Sequence, residues 1–257
     1  MHAETEVISH DTSKSSCGYG SFSFALAIIL ISVPSRGQEQ KSITNKTQRR
    51  PFDENRFPIA DYDAVEPTDP VQRAKRQAKG KKYDKSSWRV YPNSVSDSMI
   101  RVDYVDRNLP PFPFDKSSVV AVGQVSNAQA YLSNDKTGVY SVFTIQVNEV
   151  LKNSTNIDLS DGSVIEVERD GGRVRFPNGR LHLYKVDEQD MPQVGLRYVL
   201  FLTNPSGESD LHIITGYELR EGKVYSLDDL PKLRAYDNTD ETTFLMELRS
   251  KAKQQRS

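Results

Sequence analysis

The stretch "GVYSVFTIQVNEVL", residues 138–151, decides the fold class of this chain. Its side chains alternate, with Phe143, Ile145 and Val147 at every second position, and it is rich in β-branched and aromatic residues. This composition and period are typical of a long β-strand. Because no helical pattern separates the strand-like segments of this region, the sequence predicts an all-β domain, either a sandwich or a barrel. The other strand-like segments are residues 118–132, 163–169, 196–203, 211–219 and 222–227.

Two of these segments carry further information. Gly123 interrupts residues 118–132, and a glycine inside a strand pattern predicts a bulge or a tight bend. Residues 196–203, "LRYVLFLT", are apolar enough to be buried on both faces of a sheet. We therefore expect this segment in the interior of the domain.

Glycines punctuate the stretch "ERDGGRVRFPNGRLHLY", residues 168–184. We expect one two-residue hairpin turn at its Gly-Gly step and a second at its Asn-Gly step. Both turns then define one register, in which Arg175 lies opposite Glu168 and His182 on a solvent-exposed face. The glycines serve these turns rather than a phosphate site, because no helix follows them to present its N-terminus.

The second turn has an alternative conformation. Pro177 cannot donate the hydrogen bond that a two-residue turn requires, and Pro-Asn-Gly suits a three-residue loop with a glycine bulge. That loop would place Arg175 opposite Leu181. The two-residue turn is the preferred interpretation.

The preferred register predicts a candidate binding face on this meander. Cations beside an aromatic ring suit an anionic glycan or an acidic patch on another protein. In the alternative interpretation, nearby carboxylates neutralise the arginines on a solvated face and the ion pairs signify little. The candidate binding residues are Arg173, Arg175, Arg180, His182 and Tyr184.

The N-terminus predicts export. Residues 22–33, "FSFALAIILISV", are uncharged and too short for a comfortable membrane span. Ser35 and Gly37 follow as the small residues that a signal peptidase reads. We expect a signal peptide over residues 1–37 and a periplasmic or extracellular mature protein. An uncleaved anchor is the alternative.

Cysteine content agrees with this prediction. Cys17, the single cysteine, precedes the apolar run. A mature chain that begins near Gln38 therefore contains no cysteine for a disulfide, for a thiolate nucleophile or for zinc. Its stability would rest on the hydrophobic core.

Residues 38–85 show no hydrophobic periodicity. An acidic block, "DENRFPIADYDAVEPTDP", precedes a basic block, "RAKRQAKGKKYDK". Such basic runs occur in nucleic-acid and heparin patches, but they are more often solvated linkers. At 257 residues, with 27% charged residues and a formal net charge of −1, the whole chain does not favour a nucleic-acid partner. We expect a disordered charged linker over residues 38–85.

The remaining domain is predicted over residues 86–257. "RVDYV", residues 101–105, alternates like a strand, and "NLPPFPF" after it is extended and should lie along the barrel. A helix is predicted over residues 239–253, with Asn238 and Glu241 as a capping pair. Its apolar stripe should dock on the domain, with a partner-binding role as the alternative. The stripe consists of Phe244, Leu245, Leu248 and Ala252.

The order of several motifs resembles a family of uncharacterised exported bacterial β-barrel proteins. The motifs are "VYSVFTIQVNEVLK" (139–152), "ERDGGRVRFPNGR" (168–180), "MPQVGLRYVLFL" (191–202) and "GYELREGKVYSLDD" (216–229). More distantly, a long strand that ends in "EVLK" and a later "GLRYVLFL" are similar to the OB-type barrel of netrin and tissue-inhibitor-of-metalloproteinase modules. That resemblance implies an OB-like barrel. It does not transfer metalloproteinase inhibition, which uses an N-terminal cysteine that this chain lacks.

Catalytic motifs are absent from the sequence. It contains no G-x-S-x-G elbow, no H-E-x-x-H and no Walker loop. His182 and His212, in strand-like segments, could join a carboxylate as metal ligands, but isolated histidines are commoner. Glu166 and Glu168 could suit a glycosidase, but a cross-strand charge ladder with nearby arginines explains them more simply. We expect no metal, no cofactor and no enzymatic activity.

The sequence therefore predicts an exported, non-catalytic β-barrel module. Its expected partner is a protein or an anionic glycan in the envelope or outside it, with no nucleic acid and no stable membrane span after cleavage. The alternatives are an envelope hydrolase with an unrecognised site and a purely structural envelope component. A hydrolase would need a pocket in which titratable groups converge.

Overall fold

A computed structural model describes residues 52–86, 90, 98–101, 105–205 and 210–255. The expected signal peptide, residues 1–37, and the first part of the expected linker lie outside this range. Residues 102–104 of the expected "RVDYV" strand also lie outside it. In the described ranges, no helix has both the length and the apolar character needed to cross a bilayer.

Five strands close into a barrel: β3 (Val119–Leu132), β4 (Val139–Asn153), β5 (Val164–Asp170), β8 (Arg197–Thr203) and β9 (Leu211–Arg220). Around the ring, β3 pairs with β4, β4 with β5, β5 with β9, β9 with β8, and β8 again with β3. The β5–β9 pair is parallel and the others are antiparallel. This order is that of an OB-type barrel, so the all-β, OB-like prediction is confirmed. A further strand, β10 (Lys223–Ser226), extends the sheet beyond β9.

The strand patterns account for the barrel core. Phe143 and Ile145 of β4 point inward and meet Val167 of β5 and Leu200 of β8, all of them buried. β8 is buried on both faces, as its apolar sequence predicts. The pairing of β3 with β4 shifts register beside Gly123, where a Cβ atom would lie 2.5 Å from the Ile145 side chain. The predicted bulge is therefore present, and it permits close approach of the two strands.

A second sheet packs on the outer ends of β3 and β4. It consists of β1 (Ile59–Asp61), β2 (Ser98–Arg101), β6 (Gly172–Arg175) and β7 (Leu181–Val186), in the spatial order β1-β6-β7-β2. The β6–β7 hairpin separates β5 from β8 in the chain. The buried side chains of this sheet join Ala130 and Leu132 of β3 and Val139 of β4 in one apolar cluster.

The Gly171–Gly172 step is not a hairpin turn. β5 pairs with β4 on one edge and with β9 on the other, so it offers no edge to β6. Gly171, with φ +105°, instead leads the chain from the barrel into the second sheet. A Cβ atom on Gly171 would lie 2.7 Å from the Tyr184 carbonyl oxygen. The predicted charge ladder between Glu168 and the arginines of β6 is therefore wrong.

The β6–β7 turn is a three-residue loop with a glycine bulge. The Gly179 amide donates to the Phe176 carbonyl over 2.9 Å, and the Phe176 amide donates to the Arg180 carbonyl over 2.9 Å. Gly179 has φ +80°, and Arg175 lies opposite Leu181. The preferred two-residue turn is wrong and the alternative is correct. Pro177, which has no amide hydrogen, is the physical reason.

Much of the expected linker is folded. After a short 3-10 turn, Glu54–Arg56, come β1 and then helix α1, Pro70–Lys82. Asp69 caps α1, because its side chain accepts from the Val71 amide, and proline begins the helix. Hydrophobic periodicity did not reveal α1 because the helix has no apolar face. The predicted domain boundary at residue 86 therefore lies inside the folded region. Residues 38–51 lie outside the described range.

The C-terminal helix is confirmed with a different cap. Helix α3 spans Glu241–Gln254, after a short helix α2, Pro231–Arg234. The predicted stripe is buried against the outer face of the barrel, together with Phe112 and Phe114. Phe114 begins a 3-10 turn, Phe114–Lys116, in the segment before β3. Asp240 caps α3 by accepting from the Thr243 amide, whereas the predicted cap, Asn238, has a positive φ of 66°.

Candidate functional site

The structure divides the five predicted binding residues between two faces. His182 and Tyr184 are buried in the apolar cluster of the second sheet. Arg175 and Arg180 are exposed, and Arg173 is half-buried on the face opposite to His182. The one-residue change of register causes this division, since neighbouring strand residues point to opposite faces. The expectation of a single cationic and aromatic face is therefore wrong.

The N-terminal segment occupies the two arginines of β6. Arg173 donates to the Phe57 carbonyl over 3.0 Å and to the Asn55 side chain over 3.1 Å. Arg175 forms an exposed ion pair with Asp61, 3.2 Å apart. Both arginines therefore hold the 3-10 turn and β1 against β6.

A different polar cluster lies on the outer face of the barrel. Glu166 and Glu168 project outward from β5, since the intervening Val167 points into the core. Asp210 precedes β9, the parallel neighbour of β5. We define the acidic face as Glu166, Glu168 and Asp210. Glu168 is fully buried and the other two are partly exposed.

Helix α1 covers the acidic face with lysines. The Lys79 ammonium lies 2.9 Å from the Glu166 carboxylate and 3.0 Å from the Glu168 carboxylate. Lys75, one turn earlier, lies 3.1 Å from Glu166, and Lys82 forms an ion pair with Asp210. Three lysines on one side of α1 thus match three carboxylates on the barrel.

Aromatic stacking extends this contact at the end of α1. Tyr83 stacks on Tyr140 of β4, with ring centroids 4.1 Å apart and planes 5° apart. The Tyr83 hydroxyl donates to Glu168 over 2.9 Å. The His212 imidazole lies 3.6 Å from the same carboxylate. Three polar groups therefore surround the buried Glu168 carboxylate: the Lys79 ammonium, the Tyr83 hydroxyl and the His212 imidazole.

The electrostatics keep the lysine–carboxylate pairs charged near neutral pH. Burial disfavours the charged form of Lys79, but hydrogen bonds to Glu166 and Glu168 outweigh it and raise the pKa of Lys79. Burial likewise opposes ionisation of Glu166, yet the hydrogen bonds from Lys79 and Lys75 lower its pKa. Both partners therefore remain ionised.

The two ring groups at this site remain neutral. Burial, followed by the Glu168 charge, raises the pKa of Tyr83, so its hydroxyl stays protonated as a donor. Burial lowers the pKa of His212 and outweighs the attraction of Glu168. Because His212 is uncharged, the Glu168 carboxylate interacts mainly with the Lys79 ammonium and the Tyr83 hydroxyl.

One mouth of the barrel holds a second buried ionic cluster. Arg56 lies 3.0 Å from Asp190 and 3.0 Å from Glu218, and Tyr198 donates to Glu218 over 3.3 Å. Burial, followed by the Glu218 charge, raises the pKa of Tyr198 to about 12. Phe57, the next residue, is buried in the barrel core. The cluster anchors the N-terminal segment, which closes this mouth.

Sequence reasoning missed the acidic face because its partners are far apart in the chain. The Lys75–Glu166 and Lys79–Glu166 contacts join residues 91 and 87 positions apart. One signal was available, since lysines at residues 75, 79 and 82 have the i, i+4, i+7 spacing of one helical face. Within the described part of the chain, His, Cys, Asp and Glu side chains form no group of three that could hold a metal ion.

Comparison with known proteins adds no assignment. No protein-family model matches the chain, and no curated protein matches it significantly.

Proposed function

We propose that this protein is an exported, non-catalytic binding module whose OB-type barrel receives ligands on the acidic face. The observation that carries the proposal is the docking of α1. This helix is held on β5 by ion pairs from Lys75 and Lys79. The barrel thus already binds a polypeptide element at this surface.

The position of the acidic face supports the proposal. OB barrels bind ligands on the face of their second and third strands. In this barrel β4 and β5 have those positions, and Tyr140 of β4 and Glu168 of β5 both contact α1 or the residue after it. The positions of β4 and β5 support the proposal by analogy with other OB folds, whereas the ion pairs with α1 are a feature of this chain.

The export component of the proposal rests on the N-terminal sequence. Residues 22–33 form an apolar run, followed by small residues in the pattern of a signal-peptidase site. N-terminal sequencing of protein recovered outside the cell should find a chain that begins near Gln38. Recovery of chains that retain residues 22–33 would contradict a cleaved signal peptide.

A comparative capture experiment tests the binding function. The full chain and its Glu166→Gln/Asp210→Asn variant would serve as baits in the exported protein fraction. Both substituted side chains are partly exposed and neither lies in the core, so we expect the two baits to melt at similar temperatures. A partner retained by the wild-type chain and lost by the variant supports this binding face. Identical captured sets would contradict it.

A hydrolase is the second candidate, because ionisable groups converge at Glu168. Tyr83 donates to this carboxylate and His212 lies 3.6 Å from it. A substrate would have to displace α1 to reach them. Glu168→Gln should abolish any hydrolysis that occurs here, because the amide can neither accept a proton nor act as a nucleophile. Turnover equal to that of the wild-type chain would exclude Glu168 from catalysis.

A further inference from the structure

The contact between α1 and the acidic face has a defined spacing. Lys75, Lys79 and Lys82 follow one another at i, i+4 and i+7, which puts them on one side of a helix. Lys79 bridges Glu166 and Glu168, while Lys75 and Lys82 contact the two partly exposed carboxylates. The lysines therefore match the acidic face in spacing as well as in the sign of their charge.

Apolar packing contributes little to this contact. Within α1, all of which is described, Gly80 is the one buried residue, and Val71 is 76% exposed. Docked helices gain most of their stability from an apolar face. The exposed Lys75–Glu166 pair contributes about 0–1 kcal/mol, and the less exposed pairs of Lys79 and Lys82 lie outside the hydrophobic core. A helix held in this way can leave its site without disrupting the hydrophobic core.

The receiving face does not depend on α1 for its shape. Glu166 and Glu168 are fixed by the pairing of β5 with β4, opposite Thr144 and Val142. Asp210 directly precedes the pairing of β9 with β5. Because barrel strands hold these carboxylates, they would keep their spacing after α1 had moved away.

We propose that the acidic face selects a lysine-rich helix of a partner protein, and that α1 is an intramolecular occupant that the partner displaces. This inference rests on the proposed binding function and names its ligand class. The partner helix presents lysines at i, i+4 and i+7, as helices that bind in grooves present their anchors. An aromatic residue directly after the third lysine would replace Tyr83 on Tyr140.

Intramolecular competition sets the strength of binding. A tethered segment competes at an effective concentration of about millimolar, so α1 weakens the apparent affinity of any partner. Removal of the α1 lysines should therefore increase binding of an added helix. This expectation distinguishes exchange at one site from binding to a second surface, where α1 would have no effect.

A peptide-binding experiment tests the exchange. The probe is a fluorescent peptide with the sequence of residues 69–84, titrated against the full chain and against its Lys75→Gln/Lys79→Gln/Lys82→Gln variant. We expect the variant to bind the peptide at least about tenfold more tightly, which corresponds to about 1.4 kcal/mol. Adding Glu166→Gln and Asp210→Asn to that variant should remove the gain. Thermal melting confirms that each chain is folded.

The control peptide has the same composition with its lysines moved away from the i, i+4, i+7 positions. Weak binding of this control supports recognition of spacing, and equal binding would show a nonspecific attraction and overturn the inference. Failure of the triple-lysine variant to gain affinity would overturn it as well. If the peptide does not bind while partner capture still depends on Glu166 and Asp210, the lysine-rich helix is the wrong ligand class, but the proposed binding function is retained. If the peptide binds but capture is unaltered, the proposed function is wrong.

Discussion

Arg56 and Glu218 form a buried ion pair, 3.0 Å long, between residues 162 positions apart in the chain. Arg56 belongs to the first described turn and Glu218 to the last strand of the barrel ring. Both side chains are almost completely excluded from solvent. The segment before α1 is therefore an integral part of the barrel domain.

Replacement of Arg56 should destabilise the protein strongly. Arg56→Ala removes the nearer and more deeply buried of the two cations beside the Glu218 carboxylate and leaves Arg220, which is partly exposed and 3.5 Å away. Breaking the buried pair costs about 3–5 kcal/mol in the free energy of unfolding. Arg175→Ala is the matched control, because its pair with Asp61 is exposed and contributes about 0–1 kcal/mol. Urea unfolding measures both changes. Equal, small losses for the two variants would contradict an integral N-terminal segment.

The docking of α1 should weaken with salt. The Lys75–Glu166 and Lys82–Asp210 pairs at the acidic face are partly exposed. The Debye length falls from about 10 Å at 0.1 M to about 3 Å at 1 M ionic strength, so salt screens these pairs. We expect trypsin to cut within α1 faster at high salt, relative to a model peptide in the same buffer. Cleavage after the buried Arg56 should remain slow at both salt concentrations, and a salt-independent rate within α1 would argue for apolar docking.

His212 should make stability depend on pH below neutrality. Burial lowers its pKa, so the unfolded chain binds more protons than the folded chain below about pH 6.5. Its contribution to stability is complete above that pH and declines as the pH falls through the folded pKa. His212→Gln should flatten the loss of unfolding free energy between about pH 7 and pH 5. Chemical denaturation at several pH values tests this, and parallel curves for the two proteins would contradict it.

Asp240 should stabilise helix α3 as its N-cap. Its side chain accepts from the Thr243 amide over 3.0 Å, and that hydrogen bond lowers the pKa of Asp240. Asp240→Ala should lower the melting temperature measurably, whereas Asp240→Asn should change it little because asparagine caps almost as well. Thermal unfolding compares the two variants. Similar losses for both would show that charge, rather than capping, is the contribution of Asp240.

The sequence by itself determined the features that depend on local periodicity. Alternation in residues 138–151 predicted β4, and the apolar stripe of residues 244–252 predicted the docking face of α3. Gly123 predicted its bulge because the bulge is a property of the strand that contains it. Such signals can be read locally because a strand or helix repeats over a few residues and its core face must be apolar.

Only the tertiary structure decided how the charged segments are used. The partners of Glu168 are Lys79 and Tyr83, and not Arg173 and Arg175, which follow it in the chain by five and seven positions. Helix α1 has no apolar period, and the carboxylates that hold it lie more than 80 positions later in the chain. Opposite charges attract wherever folding brings them close together, so an ion pair requires no repeating apolar pattern in the sequence. The acidic face therefore became visible only when the barrel had brought these residues together.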